Sequence, residues 1–259
     1  MTGVNLSRYD KLAENDFNEK EQLGSANVPF FLRKPYKRVE AYLERIASNG
    51  SHELKLLDLG CGSGVHSLKF AQLGYRVIGV DLSKKSIEFA RNRCKKLGVS
   101  KEKLEFSHGD ILSYLRQLDD NSIDIVTMHG VLYYLDKQTV IPEIKRVLKV
   151  NGAIICVETN GGNKLLNYYR RCKHRISLHR DKKTLNDLNT RADLLKVVAS
   201  FDEGVLYYDN FLVLMSGFVL FRHKYFFNVF NLLDSLFLSV FKGACFKVTL
   251  ICRVNKKKV

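Results

Sequence analysis

The sequence predicts an α/β fold built on a parallel sheet, and three observations carry that expectation. Short apolar runs alternate with helix-forming stretches from residue 54 to residue 160. The helical stretches close on glycines, at Gly74 and Gly98, or on the Asn151-Gly152 turn. The first apolar run ends in a glycine-rich corner, Leu56-Leu57-Asp58-Leu59-Gly60-Cys61-Gly62-Ser63-Gly64. With 259 residues, 46% hydrophobic and 27% charged, the chain has enough material for one large α/β domain or a core with a sizeable appendage.

Taken in order, residues 1–27 are polar and mixed in charge. Residues 28–49 read as a helix after Pro29, with Phe30, Phe31, Val39, Tyr42, Leu43 and Ile46 as its apolar positions and Gly50 as its stop. A strand is expected at 54–59, a helix at 65–73, a second strand at 75–80 and a second helix at 83–97. A third strand follows at 104–108 and a fourth at 123–128, then a helical stretch to Lys149 and a fifth strand at 153–158. Beyond Thr159 a helix is expected at 190–201, a strand at 204–208 and a last strand at 246–254 before a lysine tail. The expected division is an N-terminal helical cap over 1–50, a ligand-binding core over 51–160, and a basic and apolar part over 161–259. That last part completes the sheet and carries a substrate cap.

Charge is unevenly spread along the chain. Residues 1–160 hold 24 Lys and Arg against 20 Asp and Glu, whereas residues 161–259 hold 18 against 7. Within 163–183, Lys164, Arg170, Arg171, Lys173, Arg175, Arg180, Lys182 and Lys183 face Asp181 alone. Such a segment suits an anionic partner, acidic lipid, phosphate or RNA, or serves as a solvated surface. The six cysteines form no CxxC pair and have no histidine cluster at zinc spacing. They read as free thiols in a reducing compartment, with no metal site. The polar N-terminus lacks the apolar stretch of a signal peptide, so a cytoplasmic location is expected.

The glycine corner carries the chemistry. Glycines let a backbone turn sharply and lie against a ligand, and the helix beginning just after them offers free N–H groups. A dinucleotide site requires G-x-G-x-x-G, but Val65 stands at the third glycine's position. Asp81 ends the second expected strand, where a carboxylate can accept from both hydroxyls of a ribose; it can also serve the helix starting near Ser83 as a cap. Asp110, after the third strand in Gly109-Asp110-Ile111, can accept from an adenine amine while Ile111 packs the ring, or act as a turn or cap residue.

Asp58 to Gly64, Asp81, Asp110, and Ile123 to Met128 followed by His129 together resemble the four motifs of class I S-adenosylmethionine-dependent methyltransferases. The likeness is to their small-molecule and quinone-biosynthesis type. Pro142 to Gly152 is similar to that group's approach to the fifth strand. The resemblance covers about residues 54–160. It implies a Rossmann-like, seven-stranded, mostly parallel sheet with helices on both faces and a reversed last strand. It implies S-adenosylmethionine as cofactor, with Asp58 and the glycines Gly60, Gly62 and Gly64 around the methionine moiety. Asp81 and its neighbour Leu82 would lie at the ribose, Asp110 and Ile111 at the adenine, and His129 in the wall of the site. Tyr9, in Arg8-Tyr9-Asp10, and Arg38 would close over the cofactor.

If the methyl acceptor is a hydroxyl, a base near its proton helps. His129 is the candidate, since imidazole titrates near neutrality; its other reading is a backbone contact to cofactor. Tyr133 lines the acceptor pocket in one reading and packs at a helix start in the other.

About 35 residues, 210–244, separate the last two expected strands, and a helical cap is expected there. Asn228, Asn231, Asp234, Ser235 and Ser239 would form a polar stripe on an otherwise apolar helix. The segment serves as a buried cap or homodimer face, or else rests on an anionic membrane surface, peripheral on its inner face. The run from Phe211 to Phe221 is too short to span a bilayer. The leading function is methyl transfer to a small molecule, apolar or lipid-linked. An RNA methyltransferase and a catalytically silent binding protein are the alternatives.

Overall fold

The computed structural model describes residues 23–28, 33–49, 53–163, 167–168, 188–210, 232–234, 236–238 and 240–255. Along the chain these form α1 (Arg33–Asn49), β1 (Lys55–Leu59), α2 (Val65–Gln72), β2 (Arg76–Asp81) and α3 (Lys84–Lys96). Next come β3 (Leu104–His108), α4 (Ile111–Leu115), β4 (Ile123–His129), α5 (Lys137–Val147) and β5 (Leu148–Thr159). The chain ends with α6 (Arg191–Ala199), β6 (Glu203–Asp209) and β7 (Lys247–Arg253). Single turns at Gly24–Asn27, Leu132–Tyr134 and Lys242–Ala244 link them.

The seven strands form one sheet in the order β3-β2-β1-β4-β5-β7-β6. Pairings among β3, β2, β1, β4 and β5 are parallel, and β7 runs antiparallel between β5 and β6. This is the Rossmann-like sheet with a reversed last strand that the motifs imply. The strand order reverses between β1 and β4. At such a switch point two connections leave in opposite directions and open a crevice beyond the strands' carboxyl ends.

Alternating side chains commit each strand to both faces. Leu56, Val77, Ile125, Ile155 and Ile251 pack with Val39 and Leu43 of α1, Leu68 and Phe70 of α2, and Ile87 of α3. Leu57, Val126, Met128, Ile154 and Leu250 pack with Ile111 and Leu115 of α4, Ile141 and Ile144 of α5, and Leu194 and Val197 of α6. Burial of each such aliphatic side chain stabilises the fold by about 1.5–3 kcal/mol. A near-continuous apolar strand therefore needs helices on both sides, and the sequence between strands supplies them.

Some boundaries differ from the sequence reading. The described part of the first helix starts at Arg33, six residues before Val39 in the middle of its apolar face. The fifth strand begins at Leu148, because Asn151 takes a left-handed φ of 63° within it and the Asn151-Gly152 turn becomes an irregularity in the strand. Its pairing with β4 jumps there, from Ile123↔Leu148 to Ile125↔Ala153. The short α4 was not anticipated; Asp110 caps it, Oδ1 accepting from Ser113 N–H at 2.9 Å. The expected helix to Lys149 is split into the turn at Leu132–Tyr134 and α5, which Asp136 caps through Gln138 N–H.

Of the expected polar stripe, Asn228, Asn231, Ser235 and Ser239 lie outside the described residues. Asp234 is buried, whereas Leu232, Leu233, Leu236, Val240 and Phe241 are exposed. No helix among the described residues is long and apolar enough to cross a membrane.

Candidate active site

The corner after β1 is held by backbone bonds that only a compact loop can make. Gly60 and Cys61 N–H both donate to Val80 O, at 2.7 and 3.1 Å, and Gly64 N–H donates to Cys61 O at 3.0 Å. Gly60, Gly62 and Gly64 have φ of 73°, 53° and 76°, a region costly for residues with a Cβ. Two of them are also sterically closed. A Cβ on Gly60 would lie 2.3 Å from Val131 Cγ2, and one on Gly64 would lie 2.6 Å from Phe106 Cζ.

Asp81, at the carboxyl end of β2, ties this loop to the next helix. Its Oδ2 accepts from Gly62 N–H and its Oδ1 from Ser83 N–H, both at 2.8 Å. Ser83 itself caps α3, accepting from Ser86 N–H at 3.0 Å. Asp58 lies behind the loop, fully buried, with Ser67 Oγ donating to Oδ2 at 2.6 Å and Thr127 Oγ1 to Oδ1 at 2.9 Å. Burial pushes its carboxyl up to about 6 against the pull of those two hydroxyls, and the charge on Asp81 adds to the rise. Cys61 is held as a thiol for related reasons, burial first and then the two aspartates.

A cleft of about 200 Å³ opens in front of the corner, lined by Tyr36, Asp58, Gly60, Cys61, Gly62, Ser63, Val65, His66 and His129. It sits at the β1/β4 switch point. A hollow of similar size at the opposite, amino-terminal edge of the strands is lined by Lys55, Arg76, Glu102 and Asp119 among others, away from all the motif residues.

Three elements bring rings into the cleft. Tyr36 of α1 stacks on His66 of α2, with centroids 5.2 Å apart and planes 10° from parallel. His129, closing β4, lies 4.4 Å from His66 and 5.5 Å from Tyr36 between centroids. Its Nε2 is buried with no hydrogen-bond partner among the described residues. Burial, then the nearby His66 and Lys247, hold its imidazole well below the usual range, so it is neutral at physiological pH. A neutral imidazole with an unsatisfied nitrogen can take a proton, or accept or donate one hydrogen bond according to its tautomer.

The other motif residues are placed as follows. Leu82 follows Asp81, and its carbonyl lies 3.1 Å from His108 Nε2. Asp110 follows β3 and caps α4 with Oδ1, while Ile111 is buried in the core beneath it. Tyr133 lies in the turn after β4 with its ring 4.0 Å from that of Tyr134, and is not among the residues lining the cleft. Arg38 is engaged by the buried Asp209: Nη1 donates to Oδ2, and Nη2 donates to Oδ1 at 3.0 Å. Its guanidinium also lies 4.5 Å over the Tyr207 ring. Tyr9 falls outside the described residues.

Four residues of this region escaped the sequence reading. Tyr36 and His66 could have been suspected from their places, beside Arg38 and just after the glycine loop. Glu158 ends β5 fully buried, its Oε1 accepting from Val131 and Leu132 N–H at 3.1 and 2.9 Å. It therefore fixes the loop that closes over Gly60. Lys247 opens β7, almost 90 residues away in sequence from its neighbour Thr159. No local signal marks it.

Fold and corner together define the class, a Rossmann-like methyltransferase domain whose cofactor is S-adenosylmethionine. The residues present fit that group: left-handed glycine backbone at Gly60 and Gly62 faces the cleft, and an acid closes β2 beside it. A family model described as "Methyltransferase domain" matches residues 51–197, more than half of the chain, and the chain belongs to that family.

A demethylmenaquinone methyltransferase of Lactococcus lactis is 33% identical over 111 residues, covering 41% of this chain and 42% of the relative. A tRNA 5-carboxymethoxyuridine methyltransferase of Escherichia coli is 32% identical over 117 residues, covering 43% of each chain. The chain thus spans less than half the length of these relatives. The crystal structure of a SAM-dependent methyltransferase from Archaeoglobus fulgidus superposes with a TM-score of 0.56 at 17% identity, covering 84% of this chain and 93% of that one. That likeness is one of fold.

Proposed function

We propose that the protein is an S-adenosylmethionine-dependent methyltransferase acting on a small-molecule acceptor. The observation that carries this reading is the triple left-handed glycine corner with Asp81 bonded to Gly62 N–H at its rim. When bound, the cofactor supplies an electrophilic methyl group on a sulfonium centre. The chain's part is to hold, align and shield.

In this reading Gly60, Gly62 and Gly64 give the methionine portion a backbone without side chains to displace it. Asp81, with Leu82 beside it, accepts from the ribose hydroxyls. Asp110 and Ile111 flank the adenine. Asp58 acts from behind, fixing the loop through Ser67 and Thr127. His129 and His66 form the wall nearest the reacting centre, and neutral His129 can take the acceptor's proton at Nε2. Arg38 holds α1, and with it Tyr36, over the cleft through Asp209.

A small acceptor is supported by the demethylmenaquinone methyltransferase among the relatives and by the flat rings of Tyr36, His66 and His129 that wall the cleft. The relation to the tRNA enzyme runs through a stretch of similar extent to that shared with the quinone enzyme, so acceptor choice rests on residues outside the shared core. Contact with an anionic membrane surface is supported by the exposed Leu232, Leu236, Val240 and Phe241 beside Lys242. Flotation with phosphatidylglycerol vesicles tests that contact, and a protein left in the soluble fraction argues against it.

The central test is calorimetric titration with S-adenosylmethionine and S-adenosylhomocysteine. Saturable one-to-one binding is expected. Absence of heat with either compound, in a protein shown to be folded, would remove the reading.

A further inference from the structure

Lys247 is a buried cation without an ion-pair partner among the described residues. Its side chain lies at the carboxyl-terminal edge of the sheet, on the face covered by α1, and the residue is only 8% exposed. One donor has an acceptor, Thr159 Oγ1 at 3.1 Å, and the ammonium lies 5.8 Å from the ring centres of Tyr36 and Phe246. No carboxylate among the described residues comes within ion-pair distance of it. Its register partner across the β6–β7 pairing is Asp209, but that carboxylate is taken by Arg38 and by Lys34 at 3.7 Å. The other acid of the neighbourhood, Glu158, spends Oε1 on two backbone N–H groups. Its Oε2 is buried without a partner among the described residues, and the charges of Glu158 and Lys247 act on each other, although no Glu158 oxygen comes within ion-pair distance of the ammonium.

An ammonium taken from water without a counter-charge costs several kcal/mol, so such a group persists where something offsets the cost. Its placement says what that is. The Tyr36 ring beside Lys247 belongs to the cleft's wall, and His129, whose buried Nε2 is unsatisfied among the described residues, lies 5.5 Å from that ring and close enough to Lys247 to feel its charge. Lys247, with a single acceptor, and His129, with an unsatisfied Nε2, therefore both stand at one aromatic wall of the methyl-transfer cleft. A neutral acceptor would leave the cation without an ion-pair partner.

We infer that Lys247 is the anchor of the acceptor subsite, and that the acceptor presents it an anionic oxygen, either an ionised ring hydroxyl or a phosphate. This rests on the methyltransferase reading and deepens it. With a hydroxyl, ionisation on Lys247 readies the oxygen as nucleophile and lessens the need for a base. With a phosphate, the anion is a handle that sets the distance of the reacting atom.

The probes are 4-nitrophenol, 4-nitroanisole and inorganic phosphate, each added to the full chain saturated with S-adenosylhomocysteine. A bound nitrophenol is expected to ionise about 1–2 pH units lower than the free compound, read from the absorbance of its anion. Lys247→Met is expected to weaken whichever oxyanion binds by about 10- to 100-fold, whereas Lys247→Arg keeps most of the affinity. Binding of 4-nitroanisole should be the same in all three proteins. Lys247→Met should melt no lower than the wild type, because it removes a buried charge; a purely structural lysine would give the opposite.

Lys247-dependent binding of nitrophenol alone identifies the ring hydroxyl as the source, and of phosphate alone the phosphate. If neither oxyanion depends on Lys247, the inference is overturned while the methyltransferase reading stands. If Lys247→Met weakens S-adenosylhomocysteine itself tenfold or more, the lysine serves the cofactor's carboxylate and the inference is again overturned. Failure of the wild type to bind S-adenosylhomocysteine is the separate outcome that removes the underlying reading.

Discussion

Two glycines of the corner should behave differently when given the same methyl group, and the difference can be worked from the structure. Gly62 and Gly64 have similar left-handed φ, 53° and 76°. A Cβ on Gly62 meets nothing within 4 Å, so Gly62→Ala carries only the backbone penalty, about 1–2 kcal/mol. A Cβ on Gly64 would sit 2.6 Å from Phe106 Cζ and 3.0 Å from Ala90 Cβ, both buried, so overpacking adds about 1–3 kcal/mol. Gly64→Ala should therefore cost about 2–5 kcal/mol in urea unfolding. Phe106→Leu shortens the opposing side chain and should recover part of the second loss. A coupling of about 1 kcal/mol or more is expected in the double-mutant cycle. Equal losses at the two glycines, or strict additivity of Gly64→Ala with Phe106→Leu, would refute the packing argument and leave only backbone strain.

Asp81→Asn keeps an acceptor for one backbone N–H but loses the charge, and S-adenosylhomocysteine affinity should fall about 100-fold or more by calorimetry; an unchanged Kd removes Asp81 from the ribose. Arg38→Met leaves the buried Asp209 carboxylate with Lys34 alone and should destabilise the fold by about 3 kcal/mol. Adding Asp209→Asn should restore much of that loss, and a double variant as unstable as the sum of the two singles argues against the pairing. Glu158 is held by burial at about 7, above its ordinary 4.5. The native state therefore binds its proton more readily than the unfolded chain, and stability is lost as pH rises from 4.5 through 7. The loss is on the order of 3 kcal/mol. Glu158→Gln should flatten that part of the stability profile, and an unaltered slope between pH 4.5 and 7 would assign the titration elsewhere, Asp58 being the next candidate.

The cofactor corner was legible because its constraints are local. Gly60, Gly62, Gly64 and Asp81 lie within 22 residues of one another, and each is required by backbone geometry or by a single neighbouring element. The alternation of strands and helices was legible for the same reason, since burial on both faces writes apolar runs of strand length between amphipathic ones. Boundaries failed where a residue type had two uses. Asn151-Gly152 reads as the turn into the fifth strand, yet the left-handed Asn151 is absorbed into β5 because β4 pairs with Leu148 before it and Ala153 after it, while Val254, just past β7, exchanges backbone bonds with Asn151 and Gly152.

The side proposed for the acceptor was illegible because antiparallel closure assembles it from distant parts. Tyr36, His129, Thr159, Asp209 and Lys247 span more than 200 positions, and only the pairing of β7 between β5 and β6 brings Lys247 beside Thr159 and opposite Asp209. No periodicity marks a lysine at a strand's first residue, and by composition it merges with the basic surface around it. Its meaning comes from burial and from what its neighbours are already bonded to. The same reasoning separates Arg38 from Lys247. Arg38 on α1 and Lys247 on β7 are cations at one sheet edge, but Arg38 has both oxygens of a buried carboxylate and Lys247 has a single hydroxyl. An ion pair completed within the fold stabilises a helix, whereas a cation without one beside the cleft is available to a ligand.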